Sequence, residues 1–422
     1  MARKSGKSSR LQHRTPDLTT LSAAPPLNPP IHPKEARFYE LDILRGLAAI
    51  TVVFFHYKHF LLVNAAVGFD YDHMPFSAVL MPFYLYGQFF VELFFAISGY
   101  VFFWLYARPI EEGRTDAWHF FVARFARLYP LYFVTLIIVA GLQFAYRSQY
   151  GGDFIYIGDT FGNFVLNLLM VQQWLPYAAQ SFNGPAWSIS VEVFLYALFF
   201  LLCVWRQSNI RVLVGLFLAG AVVRVLSDPT VDFVRGVPSF FEGGLVYYAV
   251  RMLRRPEYTV WRKRVMLALC VGLPVLWGVS YIRGFHPINV LVEPGVFAAI
   301  FSVVGFLYVV MPLSLLALGL MQDHWRTPWL SRENLHKISW IGDISYSIYL
   351  IHFPLQLGLM LVLARLPFAQ RAVIFSSPLM LLVFMALAAG LGWLSFRYFE
   401  MPMRRYLTRR MRPLLAPSPA VR

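Results

Sequence analysis

A succession of long apolar runs, separated by short basic clusters, constrains this chain more than any other feature of its sequence. A helix needs about 20 mostly apolar residues to cross a hydrocarbon layer about 30 Å thick, because each residue rises 1.5 Å. Ten segments satisfy this, at roughly 42–63, 84–106, 127–146, 186–205, 210–227, 237–253, 265–282, 291–318, 342–364 and 378–397. The third, fourth and sixth carry polar residues, and the stretch 161–179 is apolar enough to dip into a membrane without crossing it. Only 14% of residues are charged, where a soluble domain has about 25%, so water is not the main solvent. The 39 Phe, 23 Tyr and 11 Trp suit lipid-facing helices and interfacial rings. The expected fold is all-α, a polytopic membrane protein with about ten transmembrane helices.

The net charge of +15 invites a nucleic-acid reading, but the cations do not form one face along which phosphates could lie. They gather at the ends of apolar runs, as residues that orient spanning helices do. With the N-terminus in the cytoplasm, the inner joints hold Arg108, Arg114, Arg124, Arg127, Arg206, Arg211, Arg251, Arg254, Arg255, Arg262, Lys263, Arg264, Arg326, Arg332 and Lys337. Beyond the tenth span come Arg404, Arg405, Arg409, Arg410 and Arg412, while the outer joints hold only Arg147, Arg235, Arg283, Arg365 and Arg371. The bias predicts an even number of spans with both termini cytoplasmic.

Residues 1–38 are polar, basic and proline-containing, and read as a disordered cytoplasmic tail; 39–405 form the membrane domain and 406–422 a basic cytoplasmic tail. The first apolar run begins near Leu41 and is too long for the core of a cleaved signal peptide. Cys203 and Cys270 lie inside apolar runs, which argues against a disulfide framework or a thiolate metal site. The outer joint at about 147–185, rich in Gly, Asn, Gln, Tyr and Trp, reads either as a cover over a substrate site or as a plain connection.

Ionisable groups in spanning segments are functional candidates because lipid penalises them. In LDILRGLAAITVVFFHYKHF, His56 follows Arg45 by eleven residues, close to three turns and about 16 Å along one helical face. That face can hold an anion near the cytoplasm and a base deep in the bundle, since a neutral imidazole takes a proton from a hydroxyl near pH 7. A structural histidine bonded between helices is the bland alternative. His59 is a weaker candidate, and it and Lys58 can equally snorkel. In NGPAWSISVEVFLYALFF, Trp187 and Ser188 mark a helix entrance, with Glu192 one turn inward and Tyr196 one turn further. A carboxylate there must be paired or protonated; it can orient the histidine, bind a substrate hydroxyl, or staple two helices.

Arg124 and Arg127, three apart in ARFARLYPLYF, share a helical face and suit a phosphorylated ligand, although topology alone also explains them. Pro130 is placed to kink that helix entrance. Ser98 and Gly99, near Glu92, offer a small surface that reads chiefly as packing. GDISYSIYLIHFPLQ puts Ser345, Tyr349 and His352 in the ninth span as candidates for binding the acceptor or moving protons. Pro354 there frees a backbone carbonyl that neighbouring groups must satisfy. Arg397, Glu400 and Pro402 read as a helix terminus with a topological anchor.

Taken in order, LDILRGLAAITVVFFH, FFAISGYVF, RFARLYPLY, WSISVEVFLY and SYSIYLIHFP resemble the membrane-bound acyltransferase 3 family, over about 38–405. That family contains bacterial polysaccharide O-acetyltransferases and macrolide acyltransferases. The resemblance implies about ten spans in a bacterial cytoplasmic (inner) membrane. It also implies acyl transfer, first of all acetyl from acetyl-CoA, to a hydroxyl of a sugar, glycan or glycolipid, with polysaccharide biosynthesis proteins as partners. It aligns Arg45 and His56 with the family's arginine and histidine.

In the scheme that follows, His56 and Glu192 are catalytic, and Arg45, Arg124 and Arg127 bind the acyl-CoA phosphates. Trp187, Ser188, Tyr196, Tyr349 and His352 bind substrate, and no metal is required, since the scattered histidines form no recognisable zinc set. An acyl-histidine intermediate is the alternative to direct transfer. Some relatives carry a further soluble hydrolase-like domain, which is not expected here because the chain stops about 20 residues after the last span. A secondary transporter of an anionic metabolite or lipid-linked sugar would use the same arginines and histidine, but half-helices and inverted repeats are not evident. A purely structural membrane subunit ranks third.

Overall fold

The computed structural model describes residues 37–62, 71–174, 180–227, 232–282, 305–321 and 331–411. Nearly all of the expected N-terminal tail, the first half of the segment 291–318 and the end of the C-terminal tail lie outside these residues. Tyr39–Arg422 forms one unit and Met1–Phe38 another, of which only Arg37 and Phe38 are described. The principal helices are α1 (Tyr39–Tyr57), α2 (Ser77–Tyr86), α3 (Phe90–Leu105), α4 (Ala117–Tyr150), α5 (Phe161–Leu168), α6 (Trp187–Val204) and α7 (Ile210–Leu226). They continue with α8 (Phe233–Leu253), α9 (Thr259–Ile282), α10 (Met311–Met321), α11 (Ser345–Leu363), α12 (Pro378–Ser395) and α13 (Met401–Met411). Among the described residues there is no strand.

Among the described residues, six helical stretches are long and apolar enough to cross a membrane: Ser77–Leu105, Ala117–Tyr150, Gly184–Val204, Pro256–Ile282, Ser345–Leu363 and Pro378–Met411. α1, α7 and α8 coincide with three further expected spans but are shorter or more polar: α7 has 17 residues, and α8 contains Arg235, Glu242 and Arg251. The third span differs most from expectation. α4 begins at Ala117, where the Asp116 carboxylate accepts the His119 N–H, and runs 34 residues to the left-handed Gly151, about 51 Å. Arg124 and Arg127 therefore lie inside a helix rather than in a joint, and the helix continues through Pro130. At the other end of the chain, α13 carries helix to Met411, past residue 406 where the tail was expected to begin.

Close approach of helices depends on small residues. A Cβ on Gly99 of α3 would collide with the carbonyl oxygen of Phe240, and one on Gly243 of α8 with that of Ala96, so α3 and α8 meet backbone to backbone. The packing role expected for Gly99 is its role in the fold. α11 packs against α1, α4 and α12, which makes it the post around which the polar residues assemble.

Candidate active site

α1 and α11 run side by side in the same direction. Arg45 Nε donates to Ser345 Oγ at 3.2 Å, His56 Nδ1 lies 3.1 Å from His352 Nε2, and Gln356 Nε2 donates to the His56 carbonyl at 2.9 Å. Each contact has a local cause. His56 sits in the last turn of α1, where carbonyls lose their helical donors, so the Gln356 amide supplies one. Pro354 has no N–H to give to the Leu350 carbonyl four residues back, and Asn183 Nδ2 donates to that oxygen instead, at 3.1 Å.

The hydrogen-bond chain sets the histidine tautomers. His352 Nδ1 lies 3.2 Å from the Ile348 carbonyl, which can only accept, so Nδ1 carries hydrogen and Nε2 of the neutral ring is left as an acceptor. His56 Nδ1 must then donate to it, and the proton-accepting lone pair of His56 falls on Nε2. His56 Nε2 has no hydrogen-bond partner among the described residues. The rings are nearly stacked, with centroids 4.9 Å apart, and both residues are buried.

A cavity of about 100 Å³ lies nearer the start of the two helices. Its wall contains Arg45, Arg124, Arg127, Ser188, Glu192, Tyr196 and Tyr349, drawn from α1, α4, α6 and α11, with Ser98 from α3. Three guanidinium groups thus face one carboxylate. Glu192 Oε1 accepts from Ser98 Oγ at 3.2 Å and from the Tyr196 hydroxyl. Arg45 is committed to Asp42 Oδ1 at 3.0 Å, the Gly342 carbonyl at 3.1 Å and Ser345. Arg124 Nη2 donates to the Tyr106 hydroxyl at 2.7 Å, and its guanidinium lies over the Tyr106 and Phe102 rings, yet its buried Nε has no partner. Arg127 makes no hydrogen bond or ion pair among the described residues. Unspent donors on two cations fit an anionic group such as a phosphate.

Seven of the ten sequence-predicted site residues therefore converge on this cavity, and three do not line it. His56 and His352 form their own pair, joined to the cavity through Tyr349, whose ring centroid lies 6.1 Å from that of His352. The group in hydrogen-bond reach of His56 is His352, not Glu192. Tyr349 gives its hydroxyl hydrogen to the Pro185 carbonyl at 2.6 Å and accepts one from Ser188 at 2.8 Å, tying α11 to the start of α6. Trp187 is buried beneath the Arg235 guanidinium, 4.7 Å from its ring centroid, and packs on Phe95.

Sequence reasoning missed Gln356, Asn183 and Arg235. Gln356 had a signal, because Ser345, Tyr349, His352 and Gln356 form one polar stripe at helical spacing. Arg235 was expected in an outer joint, but it lies in α8, buried between Glu92 (2.8 Å) and Asp232 (3.0 Å). Glu400, read as a terminal anchor, is also buried, and its Oε2 accepts from Ser347 at 2.8 Å.

Residues 38–397 match the sequence profile of an acyltransferase domain. Acyltransferase MdmB of Streptomyces mycarofaciens is 27% identical over 403 residues, covering 92% of this chain and 97% of that protein. Protein 2 in the picA locus of Rhizobium radiobacter is 36% identical over 104 residues, covering 25% of this chain and 44% of that protein. No solved structure matches the chain.

Proposed function

Because the chain belongs to this acyltransferase family, we propose that it transfers an acyl group, acetyl first, from a CoA thioester to a hydroxyl of a sugar, glycan or glycolipid, with His56 as the base. The observation that carries this reading is the convergence of Arg45, Arg124, Arg127 and Glu192 on one cavity, whose wall residue Tyr349 lies beside a histidine pair that leaves His56 Nε2 free to take a proton. Arg127 and Arg124 hold CoA phosphates at the cavity mouth, and Arg45, already neutralised by Asp42, lines the path of the thioester. His56 Nε2 removes the acceptor hydroxyl proton as that oxygen attacks the thioester carbon. The carbon–sulfur bond then breaks, and the imidazolium returns its proton to the leaving thiolate, giving the ester and free CoA. His352 Nε2 accepts from His56 Nδ1–H throughout, which holds the ring and favours its charged form. Glu192, bonded to Ser98 and Tyr196, balances the arginine charge.

We assign the chain to the bacterial inner membrane with ten spans and both termini cytoplasmic. The six apolar helices and the basic joints support this arrangement, and α1, α7 and α8 coincide with three of the remaining expected spans. Reconstituted protein given labelled acetyl-CoA and the glycan and glycolipid fraction of its own cells is expected to form a base-labile labelled ester. Folded His56→Ala protein that still forms it would remove His56 from this role. Passage of label into sealed vesicles without ester formation would favour transport instead.

A further inference from the structure

Away from the candidate active site, α9 and α10 hold between them a cavity of about 300 Å³ whose wall is wholly apolar. Val265, Leu269, Gly272 and Leu276 line it from one face of α9, and Leu313 and Leu316 line it from α10. Gly272 leaves it open, since a Cβ there would meet no atom within 4 Å. From Val265 to Leu276 the wall runs about 16 Å along the helix, close to half of a hydrocarbon layer about 30 Å thick, so it matches the depth of one leaflet. Elsewhere on α9, Leu267, Val271 and Val275 are more than half exposed, as lipid-facing side chains are.

One end of this cavity is strongly basic. The α9 stripe continues one turn back to Trp261 and Arg262, and the Arg264 guanidinium lies over the Trp261 ring, 5.3 Å from its centroid. Between residues 251 and 264 the chain carries six arginines and lysines against one carboxylate, Glu257, which lies 3.8 Å from Arg255. Arg254 Nη2 donates to the Gly319 carbonyl at 2.6 Å and so fastens this basic turn to the end of α10. Lys263 and Arg264 are exposed and make no ion pair among the described residues. A hydrocarbon slot that ends in uncompensated positive charge is complementary to an anion that carries a chain.

We propose that the cavity between α9 and α10 binds an anionic phospholipid, with an acyl chain along the α9 wall and the phosphate among Arg262, Lys263 and Arg264. The site shares no wall residue with the candidate active site and stands apart from the acyl-transfer reading. A neutral lipid fills the apolar part and leaves the cations unanswered, whereas a soluble phosphate meets the cations and leaves the slot empty. Trp261 suits the boundary between headgroups and hydrocarbon, and basic residues at helix ends are where phosphate headgroups are held. Little of α9 is buried against the rest of the described chain, so a lipid seated on it also secures the helix.

The test uses the full chain in a neutral detergent and compares phosphatidylglycerol with phosphatidylcholine of identical chains, reading bound lipid by native mass spectrometry and stability by the thermal midpoint. One phosphatidylglycerol is expected to bind about tenfold more tightly than phosphatidylcholine and to raise the midpoint as it is titrated. Gly272→Phe adds a side chain where no protein atom need move and removes a mid-helix glycine, so its lipid-free midpoint holds or rises while that lipid is lost. Ala268→Phe, on the same wall, repeats the loss and serves in its place if Gly272→Phe does not fold. Lys263→Gln with Arg264→Gln brings phosphatidylglycerol down to the level of phosphatidylcholine, and salt does the same to the wild type. Equal binding of the two lipids by the wild type means general lipid contact and overturns the proposal. Full phosphatidylglycerol binding by either folded phenylalanine variant overturns it as well. Glycerol 3-phosphate raising the midpoint as far as the lipid does would make this a site for a soluble anion, which equally overturns it.

Discussion

His352 Nε2 lies 3.1 Å from His56 Nδ1, a contact between α11 and α1 at the proposed base. In the proposed scheme a second histidine takes the orienting place that a carboxylate holds in other base pairs. Its own direction is set by the Ile348 carbonyl, so the proton order runs from backbone to ring to ring. A neutral partner holds His56 without placing a permanent charge in the buried bundle, where an unpaired ion is strongly disfavoured.

The pair predicts a graded loss. His56→Ala should reduce the transfer rate at saturating acetyl-CoA by about 10²–10⁴-fold, the usual contribution of a positioned base. His352→Phe should reduce it by about 10–100-fold while leaving the KM for acetyl-CoA unchanged, because only a hydrogen bond to the base is lost. Steady-state kinetics on folded protein decide the matter, and a His352→Phe enzyme of full rate would end the orienting role.

Arg127 makes no hydrogen bond or ion pair among the described residues, so its replacement should weaken donor binding with little harm to the fold. Arg127→Gln is expected to raise the KM for acetyl-CoA by about 10–100-fold, the scale of a charge-assisted hydrogen bond, with a thermal midpoint close to wild type. The donor KM should also rise with salt in the wild type, and less so in the variant. An unchanged KM in Arg127→Gln would leave the arginine to topology alone.

Much of this arrangement was legible in the sequence, because lipid imposes a strong rule: long apolar runs span, and polar residues inside them face one another. Arg45, Glu192, Tyr196 and Tyr349 were found that way and share a cavity wall. The partner of His56 was not legible, since helical spacing says which side chains share a face but not which faces meet. Arg235 was misplaced for a related reason. An arginine between two apolar runs looks like a joint residue until Glu92, 143 positions earlier in the chain, is seen to form a buried two-point pair with it.

That buried network predicts an ordering of stability. Arg235 lies between two carboxylates, Glu92 and Asp232, and is 7% exposed, with Glu92 at 2%. Arg235→Met leaves both carboxylates without their cation and should cost about 3–5 kcal/mol. Asp232→Asn leaves the Arg235–Glu92 pair neutral and should cost clearly less. Thermal unfolding in detergent reads the order, and equal damage from the two substitutions would contradict it.

Asp159, between α4 and α5, supplies a pH dependence. Burial pushes its carboxyl above the ordinary range, while one oxygen accepts the Phe182 N–H at 2.6 Å and the other is buried without a partner. A raised folded-state value means that its contribution to stability is fully present below the unfolded value of about 3.9 and is lost as pH rises through the folded one. The thermal midpoint of the wild type should therefore carry a downward component across that window, and Asp159→Asn should abolish it. An identical pH slope in the two proteins would sink this assignment.

Asn183 and Pro354 predict a compensation that a merely additive pair cannot give. The Leu350 carbonyl lacks its helical donor because residue 354 is proline, and Asn183 Nδ2 fills the vacancy at 3.1 Å. Asn183→Leu alone strands that buried oxygen and should cost about 1–3 kcal/mol. In the double variant Asn183→Leu with Pro354→Ala, residue 354 regains an N–H that can close the α11 hydrogen bond to Leu350. The oxygen is satisfied again, so the penalty of Asn183→Leu should shrink by about 1 kcal/mol or more in the Pro354→Ala background. Four thermal or denaturant melts complete the cycle, and a coupling energy near zero would mean that Asn183 holds the helix through something other than the carbonyl Pro354 leaves bare.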